Sequence, residues 1–158
     1  MRHGHREAQD RFLELGTALG FDAARTYTRA HPTDGVWVFG RETGMLKGLP
    51  AAAVEVIVSE SSKAIGGSVH RLEIVSPVLG ILVVHEEEIR RRLTRAGASD
   101  AHIAAAIARD ALTIDEHIHH SKQRLQRWTF AQLHWAWSRA VPNGRCPQPP
   151  GHLMRQSA

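Results

Sequence analysis

AAAVEVIVS, residues 51–59, decides the fold. It is rich in β-branched residues, free of Gly and Pro, and too short for a typical buried helix, so it reads as a strand buried on both faces. A period of two puts Glu55, Ile57 and Ser59 on one face, which makes Glu55 an acid set in an apolar strand. Just before it, GRETGMLKGLP (40–50) reads as an exposed connection. Before that, TDGVWVF (33–39) alternates, with Asp34, Val36 and Val38 on one face and Trp37 and Phe39 on the other. This is a second strand, bracketed by Pro32 and Gly35. A hairpin with its turn in 40–49 pairs Phe39 with Pro50 and, counting back equally, Asp34 with Glu55. Two carboxylates are then expected side by side.

Working outward, Ala8, Phe12, Leu15 and Leu19 recur at helical spacing, and Gly20 follows where a helix C-cap glycine belongs. On the other side, Ser61 or Ser62 caps a helix whose core stripe is Ile65, Val69, Leu72 and Val75, ended by Pro77. LGILVVH (79–85) is a third buried strand, so a right-handed crossover and a partly parallel sheet are predicted. Residues 86–96 and 99–112 read as two helices separated by Gly97. Thr113 with Glu116 forms a capping box that opens another. Arg124 to Trp128 is a last short strand, and Thr129 with Gln132 caps the helix FAQLHWAWSRA (130–140). From Pro142 onward the chain is rich in Pro and Gly and poor in apolar residues. The expectation is a single α/β domain over 1–141 with a mixed sheet and a flexible tail over 142–158.

The 158 residues carry 20 Lys+Arg against 16 Asp+Glu, a net charge of +4, which favours polyanionic partners without naming one. The single cysteine, Cys146, cannot form an internal disulfide, so a reduced, cytoplasmic setting is expected. No apolar run approaches the roughly 18 residues of a membrane span. The opening MRHGHREAQD lacks the apolar stretch of a signal peptide, so no membrane association is expected.

Paired carboxylates on neighbouring strands are the ligands a hard divalent ion takes, and such ions assist phosphodiester hydrolysis. The same spacing also fits a solvated strand-end aspartate and an edge glutamate. A helix ending LGF, then TDGVW, VEVIVSES, and a helix leading through SP to LGILVV together resemble the αβββαβ core of PD-(D/E)XK nucleases. The resemblance spans Phe12 to His85, and WTFAQL is similar to the closing strand and helix of many members. It implies a restriction-endonuclease-like fold and a Mg²⁺- or Mn²⁺-dependent nuclease, with DNA the expected substrate and RNA the alternative. On that resemblance Asp34 and Glu55 are the metal ligands. The motif's lysine is missing, its place held by Ile57, and Lys63 on the following helix is the expected substitute. Glu14 occupies the place of an assisting acid on the first helix. Without a recognisable target-reading domain, a homodimer or a partner protein would supply target recognition. Loss of the lysine also leaves open a degenerate nuclease-like domain that acts as an interaction module.

Three other clusters draw attention. In HEEEIRRRLTR (85–95), Glu86, Glu87 and Glu88 precede Arg90, Arg91 and Arg92 by four residues, the order of a self-neutralised solvated helix. His117, His119 and His120 lack further ligands and read as a polar helix surface. Trp128, Phe130, Trp135 and Trp137 could stack on bases, but Phe130, Leu133 and Trp137 follow the core period, so core packing or a dimer contact is expected. Gly66 and Gly67 inside a helix call for a close approach, by a nucleic-acid backbone or by a packed element.

Overall fold

The strand read at 51–59 forms as β3, Pro50–Ile57, with all eight residues buried. Its burial follows from its position. The computed structural model describes residues 3–30, 32–58 and 61–142, and among these five strands form one mixed sheet. The order is β1 (Asp22–Ala24), β2 (Gly35–Val38), β3, β4 (Leu79–Val84), β5 (Leu125–Thr129). β1, β2 and β3 pair antiparallel, whereas β3, β4 and β5 run parallel. The α/β class and the mixed sheet are as expected. The expected tail at 142–158 lies outside the described residues apart from Pro142, as does Ser59.

Helices cover both faces, as parallel strands require. α1 (His3–Ala18) and α5 (Phe130–Ala140) enclose one core with Phe12, Leu15, Val54, Val56, Ile81, Val83 and Leu133. α2 (Ser62–Val75), α3 (Glu86–Arg95) and α4 (Asp100–His120) enclose the other, with Ala53, Ile57, Val69, Leu72, Leu82, Ile89 and Ile114. Alternation along β3 therefore points Val54 and Val56 toward α1 and puts Glu55 on the side of α2. The caps are local. Ser61 accepts the Ala64 N–H at the start of α2, and Ser76 closes it in the left-handed region at φ 51°. Thr129 and Gln132 form the expected capping box of α5.

The structure departs from the expectations in four places. β1 was not read from sequence, because its three residues, exposed at Asp22 and Ala24, carry no hydrophobic period. The predicted break at Thr113 does not occur: α4 is continuous, since Ile103, Asp110 and Ile114 form one buried stripe that runs straight through it. Leu19 is 54% exposed and lies just past the end of α1, not in its core stripe. In α3 the pairing is Arg91 with Glu88 at 2.6 Å, three residues apart; Glu88 is buried and Arg92 donates to the Val58 carbonyl. That helix is anchored to the sheet end and is not a wholly solvated element.

α1 is seated through Trp37. The Trp37 ring stacks on Phe12 at 4.5 Å and on Phe21 at 5.6 Å, and its Nε1 donates to the Phe12 carbonyl at 2.8 Å. Gly16 makes this approach possible, because a Cβ there would lie 2.3 Å from Trp37 Cδ1. Gly16→Ala gains about 1 kcal/mol of helix propensity, but forcing the ring aside costs about 1–3 kcal/mol. The expected net result is a lower urea midpoint; a midpoint at or above that of the unsubstituted protein would show that the helix seat is looser than described.

Candidate functional site

Asp34 stands immediately before β2. The register pairs Gly35 with Val54, Val36 with Ala53 and Trp37 with Ala52, and the Asp34 N–H donates to Val54 O at 3.1 Å. Continued by one residue, this register sets Asp34 level with Glu55, as expected. The other end of the hairpin differs. A bulge between Trp37 and Val38 pairs Val38, and not Phe39, with Pro50. Phe39 instead donates to Leu49 O, and the connection contains a 3₁₀ segment at Arg41–Leu46.

The Asp34 carboxylate is held from two elements. Oδ2 accepts the Val56 N–H of β3 at 2.8 Å and the His5 Nε2–H of α1 at 3.1 Å; Oδ1 accepts the Gln9 amide at 2.7 Å. His5 and Gln9 are four residues apart and so share one face of α1. Gln9 is itself braced, since its Oε1 accepts from Arg25 at 2.9 Å. Glu55 lies mid-strand, beside Leu82 of β4, and is 2% exposed. Arg71 of α2 donates to Glu55 Oε2 from Nε at 3.0 Å and from Nη2 at 2.5 Å, and Nη2 also donates to Ser68 Oγ at 2.9 Å. A cavity of about 260 Å³ is lined by His5, Pro32, Thr33, Asp34, Glu55, Val56 and Arg71.

The two acids have opposite electrostatics. Burial pushes Glu55 up to about 7, with the negative charge of Asp34 adding to it, against the opposing bonds and charge of Arg71. Burial also acts to raise Asp34, but the bonds from His5, Val56 and Gln9, together with the charge of His5, outweigh it and hold that carboxyl below its usual value. One acid is thus poised near neutrality beside one kept ionised, a pattern associated with functional sites.

Asp34 and Glu55 are brought together; Lys63 and Glu14 are not among the residues lining their cavity. Lys63 is exposed in the first turn of α2. Arg71 lies eight residues further on, about 12 Å along the helix, at the level of Glu55. Glu14 faces α5, where its carboxylate accepts the Trp137 Nε1–H at 2.6 Å. His5, Gln9, Ser68 and Arg71 were not read from the sequence. Ser68 was the available signal, a polar residue within the Ile65, Val69, Leu72 stripe, with Arg71 one turn on. Gly66 answers the call for a close approach through packing, since a Cβ there would lie 3.3 Å from the His117 ring of α4.

Two carboxylates are donors of the kind a hard divalent cation takes. Among the described residues no group of three or more His, Cys, Asp or Glu is arranged to hold a metal ion. No helix among them is long and apolar enough to cross a membrane. Comparison with protein-family models, curated proteins and solved structures finds no match.

The raised Glu55 sets a pH dependence. Its value of about 7 in the fold exceeds the ordinary 4.5, so its contribution to stability is fully present below 4.5 and is lost as pH rises through about 7. Asp34 acts oppositely, contributing above its ordinary 3.8 and losing that contribution as pH falls through its lowered value. Glu55→Gln is expected to abolish the loss between pH 4.5 and about 7, which is on the order of 3 kcal/mol. Urea denaturation of both proteins across that window checks this; parallel pH profiles would mean that Glu55 does not titrate there.

Proposed function

We propose that the chain is a metal-dependent phosphodiester hydrolase of the PD-(D/E)XK type, with DNA as its substrate. The observation that carries the reading is the pair of carboxylates, Asp34 and Glu55, on neighbouring chain segments at one level of the sheet, lining one cavity with a guanidinium. The succession α1, β1, β2, β3, α2, β4 is also the αβββαβ order that the resemblance implies.

Asp34 and Glu55 would hold Mg²⁺ or Mn²⁺. Such an ion, when bound, supplies positive charge against the charge that develops on the phosphodiester and assists water as nucleophile. The chain's own residues do the rest. Ile57 is fully buried in the α2 core, so the position of the motif's lysine cannot present a cation. Arg71 takes over that part. Its side chain is 42% exposed while its guanidinium touches Glu55, so it spans from solvent to the acid and offers donors that match a phosphate. His5 and Gln9 hold the Asp34 carboxylate in a single orientation. Lys63 and Glu14 have no part in this site.

The second reading, an interaction module that has lost catalysis, is favoured by the same bonds seen differently. Arg71 already pairs with Glu55, and Asp34 already accepts three hydrogen bonds.

Cleavage separates the two. The purified protein should cut DNA with Mg²⁺ or Mn²⁺ and stop with a chelator. Asp34→Ala and Glu55→Ala should each abolish cutting while leaving binding, which rests mainly on Arg and Lys contacts to phosphate, largely intact. Arg71→Ala should cost on the order of a hundredfold in rate, the scale of one preorganised donor, whereas Lys63→Ala should leave the rate unchanged. Mn²⁺ affinity should rise with pH through about 7, because the ion displaces the Glu55 proton. Binding without cutting on single-stranded, duplex and branched DNA would overturn the hydrolase in favour of the module.

A further inference from the structure

α5 and the end of β5 form a second feature, away from the carboxylates. A hollow of about 500 Å³ is lined by Trp128, Ala131, Gln132, Trp135 and Ala136. Its two indoles come from different elements, Trp128 from β5 and Trp135 from α5, and Ala131 and Ala136 leave the space between them unfilled. Trp135 is 63% exposed, unusual for a side chain of that size. Gln132 spends its amide oxygen on the Thr129 N–H at 2.8 Å, which leaves its NH₂ as a donor in the lining. A second hollow shares Trp128, Trp135 and Ala136 and continues the surface past Arg139, whose guanidinium lies 5.1 Å from the Trp135 ring centre.

Charge selects the occupant. Every Asp and Glu of the chain falls at or before Glu116, so residues 117–142 carry Lys122, Arg124, Arg127 and Arg139 with no acid among them. Arg127 is paired with Asp115 of α4 at 2.8 Å, and Lys122, Arg124 and Arg139 are exposed. β5 and α5, the elements that line the hollow, thus carry cations and no acid, a balance that favours a polyanion. Flat aromatic walls, an amide donor and the adjacent Arg139 guanidinium together match one ligand class, a planar base on a phosphate backbone. We infer that the Trp128–Trp135 hollow receives an unpaired nucleobase of a single strand. Only an unpaired base offers its ring face, because a duplex keeps those faces stacked on one another. The inference rests on the nucleic-acid reading above and adds to it the strand state of the substrate.

Binding measured in chelator tests it without turnover, using fluorescence anisotropy of labelled 12-mer dT and rU and of a duplex DNA of the same length. The single strands should bind more tightly than the duplex. Trp135→Ala should weaken single-strand binding by about tenfold or more, the scale of losing one stacked base, with duplex binding unchanged. Trp135→Phe should retain most of the affinity, and Trp135→Leu, apolar but unable to stack, should behave as the alanine variant. Trp135 is exposed, so an unchanged melting temperature is expected for all three. Wild-type single-strand affinity in the alanine or leucine variant overturns the inference. So does a sedimentation shift to a smaller species in Trp135→Ala, which would mark a contact between copies. A protein that cuts DNA while its Trp135 variants bind normally keeps the hydrolase and loses the hollow; one that binds as described yet never cuts does the reverse.

Discussion

The Asp34 carboxylate joins the first helix to the sheet, and the site is arranged around that joint. It takes hydrogen bonds from His5 and Gln9 of α1 and from the Val56 N–H of β3. A carboxylate drawn out of water is stable in its ionised form only if donors replace the lost hydration, and three of them do so here. The benefit is mutual. Beyond Gly35 the hairpin ladder ends, and a buried strand N–H without an acceptor is costly. Asp34 supplies that acceptor with its side chain, while its own N–H continues the ladder to Val54. Because Val56 is the residue after Glu55, the bond that completes the strand also fixes the two acids relative to one another.

Much of the fold was legible because it rests on periodicity. β4 is a continuous apolar run and β3 is one broken only by Glu55, and the hairpin register followed from counting across the 40–49 connection. That count held at Gly35, Val36 and Trp37 and failed only past the bulge at Val38, a local irregularity that leaves no mark in the hydrophobic pattern. β1 was hidden for the opposite reason. At three residues it is defined by its partner and not by its own composition. The α4 boundary misled because Thr113 and Glu116 satisfy a capping pattern locally, while the stripe through Asp110 and Ile114 continues the helix in tertiary context.

The site was half legible. Glu55 stands out as an acid in an apolar strand, and counting across the hairpin set Asp34 beside it. Arg71 was not, because an arginine on a helix is ordinarily surface and its role comes from where α2 passes the sheet. Lys63 was attractive for its closeness in sequence to Glu55. After β3 the chain reverses, however, and the first turn of α2 lies at the strand's end, whereas Glu55 lies inside it. Reach is set by height along the sheet, and Arg71, two turns on, has that height. Sequence distance carries no information about it.

Buried acids by themselves say little about function, and this protein contains others with which Glu55 can be compared. Glu88 and Asp110 are also buried, and each has an arginine partner, Arg91 and Arg109. Those partners sit on the same helix, three residues away in one case and adjacent in the other, so each pair is a local means of burying a helix face. Glu55 differs in every respect that matters. It lies in a strand whose neighbours are apolar, its partner comes from another element, and it opens on a cavity that also holds Asp34. An apolar residue at position 55 would pack between Ala53 and Ile57 without requiring Arg71 or Ser68 to turn inward. A buried ion pair is seldom more stabilising than such packing. Stability therefore does not account for Glu55, which sets it apart from Glu88 and Asp110.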